Sequence, residues 1–280
     1  MADYPRAAWR LLLSPFADGP TNMAVDEAVL QSIAEGQSGP TLRFFGWTPP
    51  CLSLGYGQPV ADVDMERLTQ LGYDLVRRPT GGRAILHTDE LTYSVIASMD
   101  EPRVKGGVLE SYQQLSAGLL AGLQHLGLGV RADRTYAGSE TAAKGPVCFE
   151  VPSNYEITAG NGAVPRKLLG SAQVRKRGVV LQHGSLPLTG DLGRICDVLV
   201  FASKEARQAA RVRLHERAAT VAEVLSAEVD WQQAAGSLAA GFAEVLNLDL
   251  VPGSLNAHES ALAAQLREEK YATAAWNRRL

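Results

Sequence analysis

The chain has 280 residues, of which 46% are hydrophobic and 20% are charged, and this is enough to bury a substantial core. The formal net charge of −3 and the pI near 6.0 argue against a general nucleic-acid-binding protein, whose basic face shifts the charge balance the other way. No stretch approaches the roughly 20 apolar residues of a membrane span. The N-terminal residues also lack the apolar core of a signal peptide, so we expect a cytoplasmic protein without membrane contact.

The first predicted element is a helix over TNMAVDEAVLQSIAEG, capped by Thr21 or Asn22 and ended by Gly36. The segments that follow predict strands in TLRFFGW and CLSLGY, a short helix in DMERLTQLG and a strand in YDLVRRP. AILHT and LTYSVIAS are typical of a hairpin or of one long broken strand, and a long helix is predicted over 107–126.

The next segments are again strand-like: GVRADR, NYEITA, KLLGSAQVR, which we expect to break at its Gly-Ser-Ala sequence, and VVLQHGSLPL. Beyond residue 190 helical periodicity dominates, with only LDLVP extended. Strands that do not alternate strictly with crossover helices indicate an α+β protein. We therefore predict a mixed β-sheet core flanked by helices over 10–190, and a helix-rich C-terminal extension over 191–280 that packs on this core.

The three cysteines are far apart in the chain, and no Cys-x-x-Cys pair or metal-ligand spacing occurs. Neither a disulfide framework nor a metal site is therefore predicted. Cys51 begins an apolar strand and Cys196 lies within ICDVLVF, so we expect both to be small buried side chains. Cys148 differs because it stands between a Gly-Pro turn signal and a Pro-Ser-Asn stretch, in GPVCFEVPSNYEI.

The segment RRPTGGRAILHTDELTYSV combines a Gly81-Gly82 pair with flanking arginines and with His87 beside two acidic residues. Glycines between two strands would let a carbonyl or an anionic group approach the backbone closely, and the arginines would favour such a group. The structural alternative is a simple glycine turn with solvated arginines and a hydrogen-bonded histidine.

The segment PRKLLGSAQVRKRGVVLQHGSLPL opens with Lys167 and contains small residues that would admit a substrate close to the backbone. Its His183 and Gly184 lie in the sequence LQHGS. The structural alternatives are a β-bulge or hairpin with a surface lysine, and a polar interruption of a buried strand.

The order of RRPTGG, CFEVPSNYEI, RKLLGSAQ and LQHGSLPL resembles the biotin/lipoate protein ligase and transferase superfamily over roughly residues 10 to 190. Within it the chain is most similar to octanoyltransferases of the LipM type, which move an octanoyl group from acyl carrier protein to a lysine of a lipoyl domain. The ending EKYATAAWN is also similar to the C-terminal signature of that family.

The resemblance implies that Cys148 is the acyl-accepting nucleophile and that Lys167 lowers its pKa. The implied partners are octanoyl-acyl carrier protein as donor and a lipoyl-domain protein as acceptor, typically the glycine cleavage H protein, with no cofactor. The RRPTGGR loop and the GSAQ turn would line the acyl site. Substrate-binding roles are thereby predicted for Arg78, Gly81, Gly82, His87, Gly170, Ser171, Ala172, His183 and Gly184.

The chemistry of acyl transfer fits these residues. A free cysteine has a pKa of about 8.5, so a nearby ammonium group is needed to lower it and to stabilise the thiolate. Lys167 lies 19 residues beyond Cys148, which is enough chain for the two side chains to meet across neighbouring strands. Backbone N–H groups around residues 170–172 are candidate oxyanion donors. Basic residues that would assist docking of an acidic carrier protein are Arg77, Arg175, Lys176 and Arg177.

Three alternatives remain open from the sequence. The first is an ATP-dependent lipoate ligase, which shares the arginine-glycine loop. Such ligases need no cysteine at position 148 and usually have a third glycine where this chain has Arg83. They also often carry a separate accessory domain. An octanoyl amidotransferase between lipoyl domains also uses a cysteine. A catalytically inactive acyl-binding or regulatory module is the third, and the presence of both Cys148 and Lys167 argues against it.

Overall fold

The computed structural model describes residues 4–133, 156–159 and 165–280. Within these ranges the helices are α1 (Gly19–Ala34), α2 (Met65–Gln70), α3 (Val108–His125), α4 (Lys204–Arg217), α5 (Val221–Leu225), α6 (Trp231–Leu246), α7 (Ala257–Leu266) and α8 (Ala274–Asn277). The strands are β1 (Ala7–Leu13), β2 (Thr41–Phe45), β3 (Cys51–Leu54), β4 (Asp74–Arg77), β5 (Ile85–His87), β6 (Glu90–Ser98), β7 (Val130–Asp133), β8 (Glu156–Ala159), β9 (Arg166–Lys176), β10 (Val179–Pro187) and β11 (Leu248–Pro252). Among the described helices, none is long and apolar enough to cross a membrane.

The described strands form two sheets. The larger has eight strands in the order β11-β1-β2-β6-β10-β9-β8-β7, and the smaller has the order β4-β3-β5. In the larger sheet β1 runs parallel to both of its neighbours, whereas β2, β6, β10, β9, β8 and β7 pair antiparallel in succession. This is the mixed sheet that the sequence predicts, and it confirms the α+β class.

Helices cover both faces of the larger sheet. On one face, α3 and α6 pack against the sheet through side chains such as Leu119 and Phe242. On the other face, α1 packs through Val25 and Val29 against Ile96 of β6 and its neighbours. Because both faces are covered, β6 and β10 are buried along almost their whole length, which is why their sequences are almost continuously apolar or small.

The three-stranded sheet corrects two sequence-based predictions. AILHT and LTYSVIAS do not form a hairpin or one broken strand, because β5 pairs with β3 in the smaller sheet while β6 pairs with β2 and β10 in the larger one. Strands β2 and β10 thus occupy both edges of β6, and β5 pairs with β3 instead. The predicted break in KLLGSAQVR is also wrong, since β9 continues from Arg166 to Lys176 and pairs with β10 through the Gly-Ser-Ala sequence.

Helix α1 begins earlier than the sequence predicts. Its N-cap is Asp18, whose Oδ1 accepts a hydrogen bond from the Thr21 backbone N–H at 2.8 Å, and Pro20 lies in the first turn. Asn22 is instead buried, and its Nδ2 donates to the carbonyls of Ala17 and Gly46. This anchoring fixes the register with which α1 presents its inner face to the sheet.

Candidate functional site

A cavity lies between α1, the paired strands β9 and β10, and the loop 77–83 that contains RRPTGGR. Its non-atom space, including the open solvent at its mouth, is about 580 Å³. Most of its exposed lining is apolar. The lining residues are Met23, Trp47, Ser53, Arg78, Gly82, Ile85, His87, Thr92, Gly170, Ser171, Ala172, His183, Gly184 and Ser185.

Arg78 organises the loop at one wall of the cavity. Its guanidinium donates to the carbonyl oxygens of Gly81 and Arg83 at 2.9 and 2.7 Å, and to the Ser53 carbonyl at 3.1 Å. Gly82 has a φ of +96°, which disfavours any residue with a side chain. The loop is thereby folded back onto the Arg78 side chain, which is buried at the cavity wall.

His87 stands in a second buried network. Its Nδ1 lies 2.7 Å from Glu90 Oε1 and its Nε2 lies 2.7 Å from Ser53 Oγ. A carboxylate can only accept, so Nδ1 donates to Glu90, and in the neutral imidazole Nε2 then accepts from Ser53. The Trp47 ring stacks on the imidazole with 3.9 Å between ring centroids. These contacts hold His87 in one orientation at the cavity wall.

His183 connects the loop to α1. Its Nε2 lies 2.7 Å from Thr80 Oγ1 and its Nδ1 lies 3.4 Å from Asp26 Oδ2. Burial lowers the pKa of His183, so the neutral imidazole donates through Nδ1 and accepts the Thr80 hydroxyl proton at Nε2. Burial also opposes ionisation of Asp26, but the Arg43 guanidinium, 2.7 Å from Asp26 Oδ1, and His183 outweigh it and hold the Asp26 pKa below its usual value.

Lys167 lies near the start of β9 and its side chain is buried. It pairs with Thr158 of β8, and its carbonyl accepts from the Ala219 backbone N–H at 3.0 Å. Cys148 lies outside the described residues, in the part of the chain that precedes β8. The role predicted for each of the two residues stays a prediction.

The structure brings together most of the residues that the sequence predicts for substrate binding. Of the nine residues predicted to bind substrate, Gly81 alone does not line the cavity. Gly81 is exposed, and its carbonyl oxygen accepts a hydrogen bond from Arg78. The others, drawn from β5, β9, β10 and the RRPTGGR loop, face one cavity although they are up to about a hundred positions apart. The remaining lining residues were not predicted from the sequence; they are Met23, Trp47, Ser53, Ile85, Thr92 and Ser185.

One of the missed features carried a sequence signal. Asn22 and Asp26 are polar residues one helical turn apart in α1, separated by the apolar residues 23–25, and both prove to be buried. Buried polar groups need partners, and Asp26 finds His183, Arg43 and Ser94. The i, i+4 spacing of Asn22 and Asp26 therefore could have predicted a buried polar network next to the site.

Arg77, predicted to assist carrier docking, is wholly buried, and that prediction is wrong. Its guanidinium donates to the carbonyls of Gly55, Gln58, Asn277 and Arg279 at 2.6–3.1 Å. It therefore joins the C-terminal residues to the loop 55–58. Of the other residues predicted for docking, Arg175 also donates to backbone carbonyls, while Lys176 and Arg177 are exposed at the β9–β10 turn.

In the part of the chain that the structure describes, no group of three or more His, Cys, Asp or Glu side chains could hold a metal ion. Cys51 and Cys196 are both fully buried, which confirms the prediction made for them. Cys51 lies in β3 against the N-terminal turn of α1, since a Cβ added at Gly19 would come within 2.5 Å of its sulfur. A structural role explains both thiols.

Comparison with known proteins identifies the family. The model of the lipoyl protein ligase A/B catalytic domain matches residues 18–243. Octanoyltransferase LipM of Moorella thermoacetica is 42% identical over 98% of this chain and 99% of its own length, and that of Kyrpidia tusciae is 43% identical over 97% and 98%. The chain belongs to the octanoyltransferase LipM family. It is therefore an acyltransferase.

Solved structures of related enzymes share the fold of this LipM family member. A bi-partite lipoate protein ligase from Thermoplasma acidophilum superposes with a TM-score of 0.82 at 26% identity, covering 98% of this chain and 97% of its own. A lipoate-protein ligase A bound with ATP gives a TM-score of 0.77 at 26% identity, covering 97% and 98%. The ligase-like fold that the sequence predicts is confirmed.

Proposed function

We propose that this acyltransferase moves an octanoyl group from octanoyl-acyl carrier protein, through a thioester on Cys148, to a lysine of a lipoyl domain during lipoate biosynthesis. The physiological acceptor in this proposal is the glycine cleavage H protein. The observation that carries the proposal is the largely apolar cavity lined by residues of RRPTGGR, β9 and β10, in a chain 42–43% identical to octanoyltransferases over nearly its full length.

The position of Lys167 supports the cysteine mechanism. The chain that contains Cys148 leads directly into β8, and Thr158 of β8 pairs with Lys167 of β9. Lys167 is buried on the same strand as the cavity-lining residues Gly170 and Ala172. A buried ammonium beside a thiol lowers the thiol pKa and favours the nucleophilic thiolate.

The proposed reaction has two acyl transfers. In the first, the Cys148 thiolate attacks the acyl carbon of the carrier thioester, a C–S bond to Cys148 forms and the C–S bond to the carrier breaks. The carrier thiolate takes up the proton that Cys148 gave up and leaves as a thiol. In the second, the lipoyl-domain lysine attacks as the free amine, the Cys148 thiolate leaves, and the amine proton returns to it. The product amide is more stable than a thioester, so the overall transfer needs no ATP and no cofactor.

The ligase-like structures make an ATP-dependent lipoate ligase the second candidate. They are 26% identical to this chain, whereas the octanoyltransferases are 42–43% identical over a similar share of the chain. A ligase activates a free acid as its adenylate and has no requirement for a thiol nucleophile. The two functions therefore differ in donor and in energy source.

Transfer assays with and without ATP separate these candidates. The purified protein is mixed with octanoyl-acyl carrier protein and a lipoyl domain, and the acceptor is examined by mass spectrometry. We expect one octanoyl amide on the acceptor lysine, at the same rate in the presence and absence of ATP and magnesium. Modification only when free octanoate or lipoate is supplied with ATP would contradict the proposed function and favour the ligase.

A further inference from the structure

A cleft with basic and aromatic side chains lies beside the cavity, between α1, the β9–β10 pair and the C-terminal residues. Its lining includes Glu27, Tyr56, Pro79, Lys176, Lys270 and Trp276. Lys270 and Trp276 belong to the C-terminal sequence EKYATAAWN, and neither lines the cavity. The C-terminal sequence thus contributes to a second concave surface next to the site.

The cleft and the cavity adjoin along the same elements. The paired residues Val174 and Leu181 line the cleft. The pair Ala172 and His183, two residues along the same strands, lines the cavity. Residues two apart in a strand point to the same face, so the two spaces lie about 7 Å apart along that face. A protein seated on the cleft is therefore next to the cavity that the acyl group must enter.

The cleft carries a surplus of positive charge. The ammonium groups of Lys176 and Lys270 both contact Glu27, which is the only acidic residue among the described residues that line the cleft. Burial opposes ionisation of Glu27, but hydrogen bonds from Lys270 and Tyr271 and the charges of both lysines hold its pKa below the usual value. Arg279 adds a third cation. Burial lowers the pKa of Lys270, and the neighbouring charges of Lys176 and Arg279 lower it further, against the effect of the carboxylate.

Aromatic rings hold these cations in place. Lys270 Nζ lies 4.1 Å from the centroid of the Trp276 ring, and Arg279 Cζ lies 3.8 Å from the same centroid. Arg279 Cζ also lies 4.1 Å from the ring centroid of Tyr56, a side chain that is 50% exposed. Tyrosine, tryptophan and arginine are enriched in protein–protein interfaces. Stacking orders the cations before a partner binds, and this lowers the entropy cost of docking.

The position of the cleft favours the donor protein over the acceptor. Lys167 and Lys176 are at opposite ends of β9, roughly 30 Å apart in an extended strand. Acyl carrier protein presents its acyl group on a long flexible arm, which can span the distance between a docking surface and the reacting thiol. The acceptor lysine of a lipoyl domain has no such arm, so that domain needs contacts close to Cys148.

We propose that this cleft is the docking surface for the donor, and that Lys176, Lys270 and Arg279 bind an acidic surface of octanoyl-acyl carrier protein. This inference rests on the proposed function and names the surface that recognises its donor. Glu27 has an effect opposite to that of the lysines, because its charge reduces the positive potential that the carrier meets. Docking through charges acts on encounter and affinity, and the chemical steps stay as they are.

The test measures single-turnover acylation of the enzyme over a range of octanoyl-acyl carrier protein concentrations. An exposed charge contact changes affinity by up to about five-fold, so we expect Lys176→Gln to raise the donor concentration at half-maximal rate about three-fold. Adding Lys270→Gln should raise it about ten-fold in total. Glu27→Gln should lower it about three-fold, because the local positive charge rises by one while an oxygen remains to accept the Tyr271 hydroxyl. The maximal acylation rate should be the same in all of these variants.

The opposite shifts separate docking from a structural role, because damage to the fold would weaken use of the donor in every variant. Lys204→Gln is the matched control, since it removes an exposed lysine at the start of α4 that does not line the cleft, and it should change nothing. Added salt should narrow the difference between the wild type and the double variant, because ions screen these charges. The lipoyl-domain concentration at half-maximal rate in the second transfer should be equal in all variants.

An unchanged half-maximal donor concentration in the double variant would overturn the inference, as would a rise caused by Glu27→Gln. A shift in the lipoyl-domain concentration instead of the donor concentration would contradict it and assign the cleft to the acceptor. If the Lys270→Gln protein does not fold, Lys176→Gln and Glu27→Gln decide the question, since the Lys176 side chain is 51% exposed.

The same measurements distinguish failure of this inference from failure of the proposed function. If the wild type is not acylated by the carrier thioester at all, the proposed function fails and the docking surface fails with it. Acylation of the wild type with equal half-maximal donor concentrations in all variants refutes the docking surface alone.

Discussion

Replacement of Cys148 by serine or alanine is expected to abolish octanoyl transfer while leaving the fold intact. A serine hydroxyl is far less acidic than a thiol, and alanine has no nucleophile at all. Loss of a catalytic nucleophile can cost a factor on the order of 10⁶ in kcat, so we expect activity at least about a thousand-fold below that of the wild type. The measurement is the initial rate of octanoyl transfer to a lipoyl domain, with circular dichroism and thermal unfolding as the check on folding.

Cys196→Ala is the matched control for this variant. It removes a thiol that is fully buried in the turn Leu192–Asp197, away from the cavity lining, and leaves Cys148 in place. Its transfer rate per folded molecule should equal that of the wild type. A folded Cys148→Ala protein that retains more than about a tenth of the wild-type rate would refute a nucleophilic role for this cysteine.

Replacement of Lys167 by alanine or methionine is expected to impair transfer severely and to raise the pKa of the Cys148 thiol. Removing the ammonium removes the positive charge that favours the thiolate, so the pH profile of Cys148 alkylation should move to higher pH. Methionine fills most of the space of the buried lysine and therefore separates loss of charge from loss of packing. The measurements are the transfer rate and the rate of iodoacetamide alkylation between pH 5 and 10, followed on the Cys148 peptide.

Lys176→Ala serves as the control for charge. Lys176 lies on the same strand, but it is exposed and pairs with Glu27 at 3.2 Å. Its replacement should leave the alkylation profile of Cys148 unchanged, and also the transfer rate at saturating carrier protein, because a docking contact affects the rate only at lower carrier concentrations. An alkylation profile that is identical in Lys167→Met and in the wild type would show that Lys167 is merely structural.

Most elements of the fold could be predicted from the sequence because their signals are local. The apolar stretch of β10 and the long helix α3, predicted over 107–126 and observed over Val108–His125, depend on periodicity and length within a single segment. The pairing of strands could not be predicted in the same way. Whether β5 pairs with β6 or with β3 is decided by which partners are already taken in the folded chain, and no local pattern records this.

The Gly-Ser-Ala sequence of β9 shows a different limit of sequence analysis. Small residues within a strand predict a bulge or break, but here Gly170 pairs in register with Ser185 and Ala172 with His183. Their smallness makes room for the cavity instead of ending the strand. The predicted boundary at residue 190, between a catalytic core and a helix-rich C-terminal extension, stays a prediction. Strand β11 of the C-terminal part pairs with β1 at the edge of the larger sheet.

The candidate site was partly predictable because its residues lie in a few short motifs. The Arg78 loop, His87 and His183 stand in sequences whose glycines, histidines and arginines are unusual for folding alone. Trp47 and Ser53 were missed because tryptophan and serine in apolar strands are ordinary core residues. Only the folded chain shows that they face the same space as His87.

Intact-protein mass spectrometry after mixing with octanoyl-acyl carrier protein tests the cysteine mechanism most directly. Exchange between two thioesters of similar free energy should let an octanoyl-enzyme accumulate when no lipoyl domain is present, without ATP. We expect one added octanoyl group on the peptide that contains Cys148, removable by hydroxylamine and discharged to a lysine amide by a lipoyl domain. An enzyme that stays unmodified under these conditions, and that modifies the acceptor only with free octanoate, ATP and release of pyrophosphate, would contradict the account.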